Sequence, residues 1–299
     1  MSALTLSPEP VAVPPSGNDT DIRWTRDLTA FLRPDWDNVV AGEFATGVID
    51  GRWSVAGMRG WIVQLYPFIH IFPKFLAEAL IKAEDEYARN FLIDNIRIER
   101  AHAEHWIWMG EGFGIPRQEM LAMASGECPT LRDVQSLTDW IWFINAKGSF
   151  AEAVAATSFA IEGATGALSR ALLAGFEAYG SRPGVRMNLR TTKWARNHAR
   201  YDDDHPRVAL EVAARAAQTE ATRRKVMLAA RRSLQLLNQA LLCACHAYCT
   251  EAAPIFARQP VQRRAGDRRR FQVPIGFPDR RVAQRRKSAD TPAPRPPAI

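Results

Sequence analysis

Apolar side chains recur at three- and four-residue intervals over residues 56–72, 75–93, 94–113, 131–146, 148–178, 188–203 and 206–250. That spacing lines one face of a helix. Strand-like alternation is nearly absent. Breaks are expected at Gly51, Pro73, Gly114–Pro116, Gly126–Pro129 and Gly180–Pro183, where turn-forming residues interrupt the pattern. Pro206 has no amide hydrogen and disfavours helical geometry at His205, so it kinks or restarts a helix there. Asp204 is a candidate cap for the segment that follows. The pattern predicts a single all-α domain over residues 25–255, with no internal repeat.

Composition adds to this picture mainly at the ends. Apolar residues make up 47% of the 299 and charged residues 24%, which is ordinary for a globular chain. The net charge of +7 is unevenly spread. From Arg258 onward there are twelve Lys/Arg and three Asp/Glu, a local balance of +9, which leaves the rest of the chain at −2. This tail, with its RRAGDRRRF and TPAPRPPAI stretches, has too few apolar residues to bury a core. Residues 256–299 are therefore expected to be disordered, as are the polar, Pro-rich residues 1–24. The tail's charge implies at most weak, salt-sensitive contact with polyanions.

The first residues lack the charged start and apolar core of a signal peptide. No apolar run reaches the roughly 18 residues of a membrane span. The nearest, GWIVQLYPFIHIFPKFL, is interrupted by Pro67, His70 and Pro73. Four cysteines in a chain this long do not suggest a disulfide framework. The expectation is a cytoplasmic protein without a membrane partner.

Candidate chemistry concentrates in three places. NHARYDDDH holds His198, Asp202 and His205 at intervals of four and three, which puts them on one helical stripe. IRIERAHAEHW holds Glu99 and His102, an i,i+3 pair of the kind that projects inward in di-iron bundles. Glu162 is the sole charged residue between Glu152 and Arg170. A carboxylate in such apolar surroundings needs a partner or stays protonated. Glu99, His102, Glu162, His198, Asp202 and His205 together offer three ligands to each of two metals. Mixed carboxylate and imidazole donors suit iron, with manganese as the other candidate. Two-metal sites typically hold their ions about 3.5–4 Å apart.

The order Glu-x-x-His, isolated Glu, His-x-x-x-Asp-x-x-His resembles the haem-oxygenase-like di-metal oxidases and oxygenases. These are relatives of the TenA-type thiaminases and the pyrroloquinoline-quinone synthase. The likeness spans residues 55–250 and includes YPFIHIFPKFL, FLIDNIRIE and SFAIEGATGAL. It implies a seven-helix bundle, often dimeric, with no haem and with two iron ions held by the six residues named above. In that reading Glu99, Glu162 and Asp202 are the catalytic carboxylates. The resemblance further implies O2 as co-substrate, an external electron donor or reductase, and a small organic substrate such as an amine or amino acid. N-oxygenation of an amine is the first expectation. Oxidative C–C cleavage or desaturation of an amino or fatty acid is the alternative. Ferritin-like bundles carry a second Glu-x-x-His, and none is present here.

Some positions stay open or point away from particular relatives. Spacing between the first Glu and His varies in this group, so His105 is an alternative to His102, and Glu43 is a candidate seventh ligand. Self-sacrificing p-aminobenzoate makers keep a lysine ten residues beyond the central Glu, where this chain has Leu172. The cysteine nucleophile of TenA-type thiaminases has no counterpart in residues 148–170. In CACHAYC, Cys245, His246 and Cys249 read as packing residues of the last helix, with a soft-metal site as the alternative. His70, among aromatics, reads as a core or pocket-lining residue. Trp106 and Trp108, like Trp140 and Trp142, cannot both face one core line. Arg186, Arg190 and Lys193 read as a solvated face. From a different class, a non-catalytic regulatory or nucleic-acid-associated role is the competing expectation, separable by metal content.

Overall fold

A computed structural model describes residues 19–201 and 205–248, and all regular structure within them is helical. The elements are α1 (Asp19–Val40), α2 (Glu43–Ile49), α3 (Val55–Leu80), α4 (Glu86–Glu99), α5 (His102–Gly112), α6 (Arg117–Ala124), α7 (Arg132–Lys147) and α8 (Phe150–Val154). A π-helical stretch (Ala155–Glu162) joins α8 to α9 (Gly163–Gly180) without a gap. α10 (Lys193–Tyr201), α11 (His205–Ala216) and α12 (Glu220–Ala247) complete the bundle. Residues 19–24, expected to be disordered, instead begin α1; the rest of both expected disordered ends lies outside the described residues, as do residues 249–255 of the predicted domain and the proposed cap Asp204. No helix among the described residues is long and apolar enough to cross a membrane.

Helix starts follow local capping chemistry. The side chains of Ser54, Asp85 and Thr219 accept the backbone N–H of Gly57, Ala88 and Thr222 and so satisfy amides that have no intrahelical partner. Ser149 and Glu152 form a reciprocal capping box at α8. The Thr219 cap also explains why the predicted 206–250 helix is in fact two, α11 and α12. The predicted 94–113 helix likewise divides at Arg100 and Ala101.

Two departures run the other way. The break expected at Pro73 does not occur, because α3 continues through both Pro67 and Pro73. Each proline removes one helical hydrogen bond, but Phe68, Phe72 and Phe75 pack ring against ring at 5.6–5.9 Å on the buried face and hold the axis. Burial of this face outweighs the local penalty. Below α3, α1 and α2 precede the first predicted helix, and α6 was also not predicted. α1 does show a helical repeat, since Trp24, Leu28, Leu32 and Trp36 are all buried.

α12 packs along the π-helical stretch, α7, α3 and α1, while α3 also meets α4, α5 and α6. These two long helices carry much of one continuous core. α10 lies on α9 and α5, and α11 lies on the π-helical stretch, α8 and α4. That brings the end of α4, the start of α5, the end of the π stretch, α10 and the start of α11 to one place.

α9 crosses α2 at very short range. A Cβ built at Gly175 would lie 2.5 Å from the Val48 carbonyl oxygen, so a side chain there must push the helices apart. Gly175→Ala is expected to destabilise the fold by about 1–3 kcal/mol. Gly180→Ala, at the end of the same helix, meets nothing closer than 3.8 Å and is expected to be tolerated. Thermal unfolding of both variants checks the contrast.

Candidate metal centre

The centre starts at the junction of α4 and α5. Glu99 is the last residue of α4 and His102 the first of α5. Between them Arg100 donates to Ile96 O and Ala101 to Ile98 O, so the chain tightens without leaving a helical path. The i,i+3 pair therefore keeps its common face although it spans two helices. Glu99 Oε1 and His102 Nδ1 approach to 2.8 Å. Nδ1 thus faces the Glu99 carboxylate, while Nε2 of the buried His102 ring has no hydrogen-bond partner among the described residues.

Glu162 ends the π-helical stretch AATSFAIE, every residue of which is buried. A π turn is wider than an α turn and re-aims the side chains that follow it, which is why such turns recur at functional sites. Gly163 follows at once. A Cβ there would sit 2.9 Å from the Trp36 ring and 3.1 Å from Pro206 Cβ. Only a residue without a side chain lets α11 approach this closely, and the approach carries His205 towards Glu162.

α10 supplies His198. Its ring lies 4.3 Å from the His102 ring and 4.1 Å from the Trp194 ring, centroid to centroid. His198 Nδ1 is 3.0 Å from the Trp194 carbonyl oxygen. A carbonyl only accepts, so Nδ1 carries the proton and Nε2 presents a lone pair. Metal-ligating histidines are commonly fixed in this way. Donor atoms of Glu99, His102 and His198 all lie within 4.8 Å of one another.

One small pocket is lined by Ile98, Glu99, His102, Glu162, His198, His205 and Pro206. The structure thus brings together five of the six residues picked out in the sequence. The sixth, Asp202, lies outside the described residues. His105 is buried but does not line the pocket; its ring faces Trp108 at 5.1 Å. Glu43 pairs with His246 Nε2 at 3.1 Å on the exposed surface and is likewise not a lining residue. His70, expected in the core or a pocket, is exposed, since it falls on the outer side of α3. Arg190 and Lys193 stand over the Trp108 ring, and Arg190 also pairs with Glu111. Cys245 is buried, consistent with packing, and Cys249 lies outside the described residues.

Sequence reasoning missed Asn95. It is almost wholly buried, and its Nδ2 donates to both oxygens of Glu162, at 2.9 and 3.0 Å. The available signal was its position one helical turn before Glu99, on the same face of α4.

Electrostatics fit a cation-binding pocket. Burial raises the Glu99 carboxyl, but the imidazoles of His102, His198 and His205 outweigh it and hold the group below the ordinary carboxylate range. Burial and the neighbouring His102 push His198 down to about 3, against the pull of Glu99. The residue as a whole is half-buried, but its ring is enclosed by His102 and Trp194. At neutral pH the pocket therefore offers an ionised carboxylate and an unprotonated imidazole, the forms a metal requires. Nε2 of His102, buried with no hydrogen-bond partner among the described residues, is independently a donor that a cation would satisfy, because buried polar atoms are otherwise costly to leave unpaired.

A helical bundle with a buried carboxylate–imidazole pocket offers a set of donors that could hold a metal ion. A family model described as iron-containing redox enzyme matches residues 59–238, more than half of the chain, and the chain belongs to that family. No curated protein matches it. Among solved structures, a TenA homologue from Pseudomonas syringae pv. tomato is 26% identical, covering 75% of this chain and 93% of that one at a TM-score of 0.66. A domain of unknown function with a haem-oxygenase-like fold from Shewanella denitrificans is 17% identical, covering 75% and 92% at 0.61. A TenA family transcription regulator from Silicibacter is 14% identical, covering 74% and 96% at 0.57. The last two show the fold alone, and that fold is haem-oxygenase-like.

Two outcomes are expected. Asn95→Leu removes both hydrogen bonds to Glu162 while keeping an apolar body in the buried site. It should weaken metal binding about 10–100-fold, as loss of groups that orient ligands does. Competition titration with a chromophoric chelator measures this, and unchanged affinity would show that Asn95 only packs. The second outcome concerns the metal-free protein. His198 titrates near 3 and His105, lowered by burial and by Lys193, near 4, against an ordinary 6.5. Between these values the unfolded chain binds more protons. Stability should therefore be complete above about 6.5 and fall as the pH drops through that window. Denaturation midpoints from pH 7 to 4 check the slope, which His105→Gln should reduce.

Proposed function

We propose that the chain holds two iron ions and uses them to oxidise a small organic substrate with O2, most simply by N-oxygenation of an amine. The observation that supports this best is the convergence of Glu99, His102, Glu162, His198 and His205 on one buried pocket, with His198 already in the tautomer that leaves Nε2 free. Asp202 completes the set through its spacing to His198 and His205. Manganese is the other ion that this donor set accepts.

Iron, when bound, supplies the one-electron redox chemistry that activates dioxygen. The protein's own residues do the rest. Glu99, Glu162 and Asp202 offset the positive charge and hold the ions close. His102, His198 and His205 would contribute imidazole nitrogen donors. Asn95 orients Glu162. Trp194 keeps the proton on His198 Nδ1 through its carbonyl. Ile98 and Pro206 form the apolar walls and Phe91 lies against His205. These side chains exclude water, which guards reactive species from side reactions.

The same walls favour a second reading in the same class. Among the described residues no Lys or Arg lines the pocket, and its carboxylates are the candidate ligands. A substrate with an apolar body therefore fits, and oxidative C–C cleavage or desaturation of an amino or fatty acid is the alternative. An external reductant is required by either reaction, and assembly as a homodimer is part of the proposal.

Anaerobic reconstitution with ferrous iron should give about two ions per chain. His198→Ala, His205→Ala and Asp202→Ala should each lose at least one. The loaded protein should consume O2, faster with the true substrate, across a panel of amines, amino acids and fatty acids; Glu162→Ala should abolish this. Absence of stoichiometric iron or manganese would favour the non-catalytic regulatory role instead. Loaded protein that consumes no O2 with any of the panel would remove the oxygenase reading while leaving the metal site.

A further inference from the structure

A chain of aromatic rings leads out of the pocket. The His198 ring lies 4.1 Å from Trp194, Trp194 lies 4.6 Å from Trp106, and Trp106 lies 5.2 Å from Trp61, centroid to centroid. Phe44 follows at 5.1 Å, and Trp53 lies 6.5 Å beyond Phe44. Trp53 makes an edge contact at 5.0 Å with His246, whose side chain is exposed. All four indoles are buried. The rings come from α10, α5, α3, α2, the α2–α3 loop and α12, so the chain spans the bundle rather than following one helix.

We infer that Trp194, Trp106, Trp61 and Trp53 form an electron-transfer path between the pocket and the surface at Glu43 and His246. This rests on the redox reading of the pocket. Indole is the side chain most readily oxidised by one electron apart from tyrosinate and thiolate. Tunnelling falls off exponentially with distance, and rings in contact make each hop short. Two histidines and Trp108 also leave the pocket, through His102 and His105, but imidazole is much harder to oxidise than indole and makes a poor relay.

The environment of the indole N–H groups supports transfer over trapping. An oxidised indole that loses its N–H proton becomes a neutral radical and holds the vacancy where it is. Trp61 Nε1 and Trp194 Nε1 are buried with no hydrogen-bond partner among the described residues, and Trp106 Nε1 donates to the Ile62 carbonyl at 2.7 Å. Among the described residues none of these N–H groups is hydrogen-bonded to a side-chain base that would take the proton. The vacancy therefore stays a radical cation and remains free to move. Trp24 and Trp36 also bury their Nε1 without a partner among the described residues, so it is the ring-to-ring contact leading out of the pocket, not the unpaired N–H, that marks this path.

Electrons balance at each hop. Redox chemistry in the pocket withdraws one electron from Trp194. Trp194 regains it from Trp106, Trp106 from Trp61, and Trp61 from Trp53 across Phe44. Trp53 is refilled at the surface by an external one-electron reductant, an iron–sulfur or flavin protein. No bond is made or broken along the way. Where no substrate is bound, the same path would drain oxidising equivalents from the pocket.

A metal-free experiment tests the path without relying on the pocket's chemistry. In a His70→Gln background, which removes the other exposed imidazole, a ruthenium polypyridyl photo-oxidant is coordinated to His246. Flash-quench should produce an indole radical cation in transient absorption that outlives the charge separation seen with Trp61→Phe or Trp106→Phe. Those two variants interrupt the path at different points, so misfolding of one leaves the other to decide. Trp24→Phe, buried but off the path, should behave as the parent does. Equal lifetimes in all four proteins would overturn the proposal. In a second arm, iron-loaded protein is exposed to O2 without substrate, and oxidised tryptophans are mapped by mass spectrometry. Oxidation should fall on Trp194, Trp106, Trp61 and Trp53, and in Trp106→Phe it should stop at Trp194. Products that follow exposure instead, led by Trp142, would also overturn it. A path shown by the first arm and an unoxidised protein in the second would mean that the path exists but the pocket does not activate O2.

Discussion

A buried carboxylate beside buried imidazoles is the constraint on which this structure turns. Glu99 and His102 Nδ1 meet at 2.8 Å in buried surroundings, and among the described residues His102 Nε2 has no hydrogen-bond partner. Removing an ionised carboxylate from water is expensive unless an opposite charge is at hand. Protonated imidazoles are a poor answer, because burial drives His198 down to about 3. A cation held by all these groups satisfies every requirement at once. The binding energy of such a cation would count as folding energy for the elements around it.

Those elements are fitted to the constraint one by one. The tightening at Arg100 and Ala101 keeps Glu99 and His102 on one side although the helix axis changes. The π-helical stretch advances the chain so that Glu162 points at the same place, and Asn95 clamps both of its oxygens. Gly163 lets α11 come close enough to bring His205 in. Each is a local departure from ideal helical structure, and each is supported by the packing of α3 and α12 behind it. Departures of this kind concentrate at sites because a regular bundle cannot aim five polar side chains at one point.

How legible was this in the sequence? The pocket-lining residues Glu99, His102, Glu162, His198 and His205 were legible because spacing is a property of the chain: Glu99 and His102 stand three apart, His198 and His205 seven apart, and Glu162 is conspicuous in an uncharged stretch. The bundle was legible because helical burial is periodic. Features set by contacts between distant residues were not. Asn95 reads as one polar residue among many in FLIDNIRIE until Glu162 is placed against it. The π-helical stretch is rich in small residues and almost uniformly apolar, so no periodicity marks the extra residue per turn. Pro73 carries a strong local signal for a break, and it loses to the aromatic face of α3. His70 sits among aromatics in sequence, but two positions from Phe68 is about 200° around a helix, which turns it to solvent.

Trp194 shows why the aromatic shell belongs to the centre rather than merely surrounding it. Its backbone carbonyl fixes the His198 tautomer, and its ring lies against the His198 ring and the Trp106 ring. A leucine at this position would retain the carbonyl and part of the packing, so the ligand geometry alone does not call for an indole. Nor does water exclusion, which any large apolar side chain provides. The indole adds an oxidisable ring in contact with the His198 ring, and its N–H, like those of Trp24 and Trp36, has no partner among the described residues. An oxidisable ring beside a redox site serves the inferred path only if further oxidisable rings carry the charge onward. Trp106 and Trp61 do continue it, at contact distance and from different helices, so the requirement is met by the bundle as a whole.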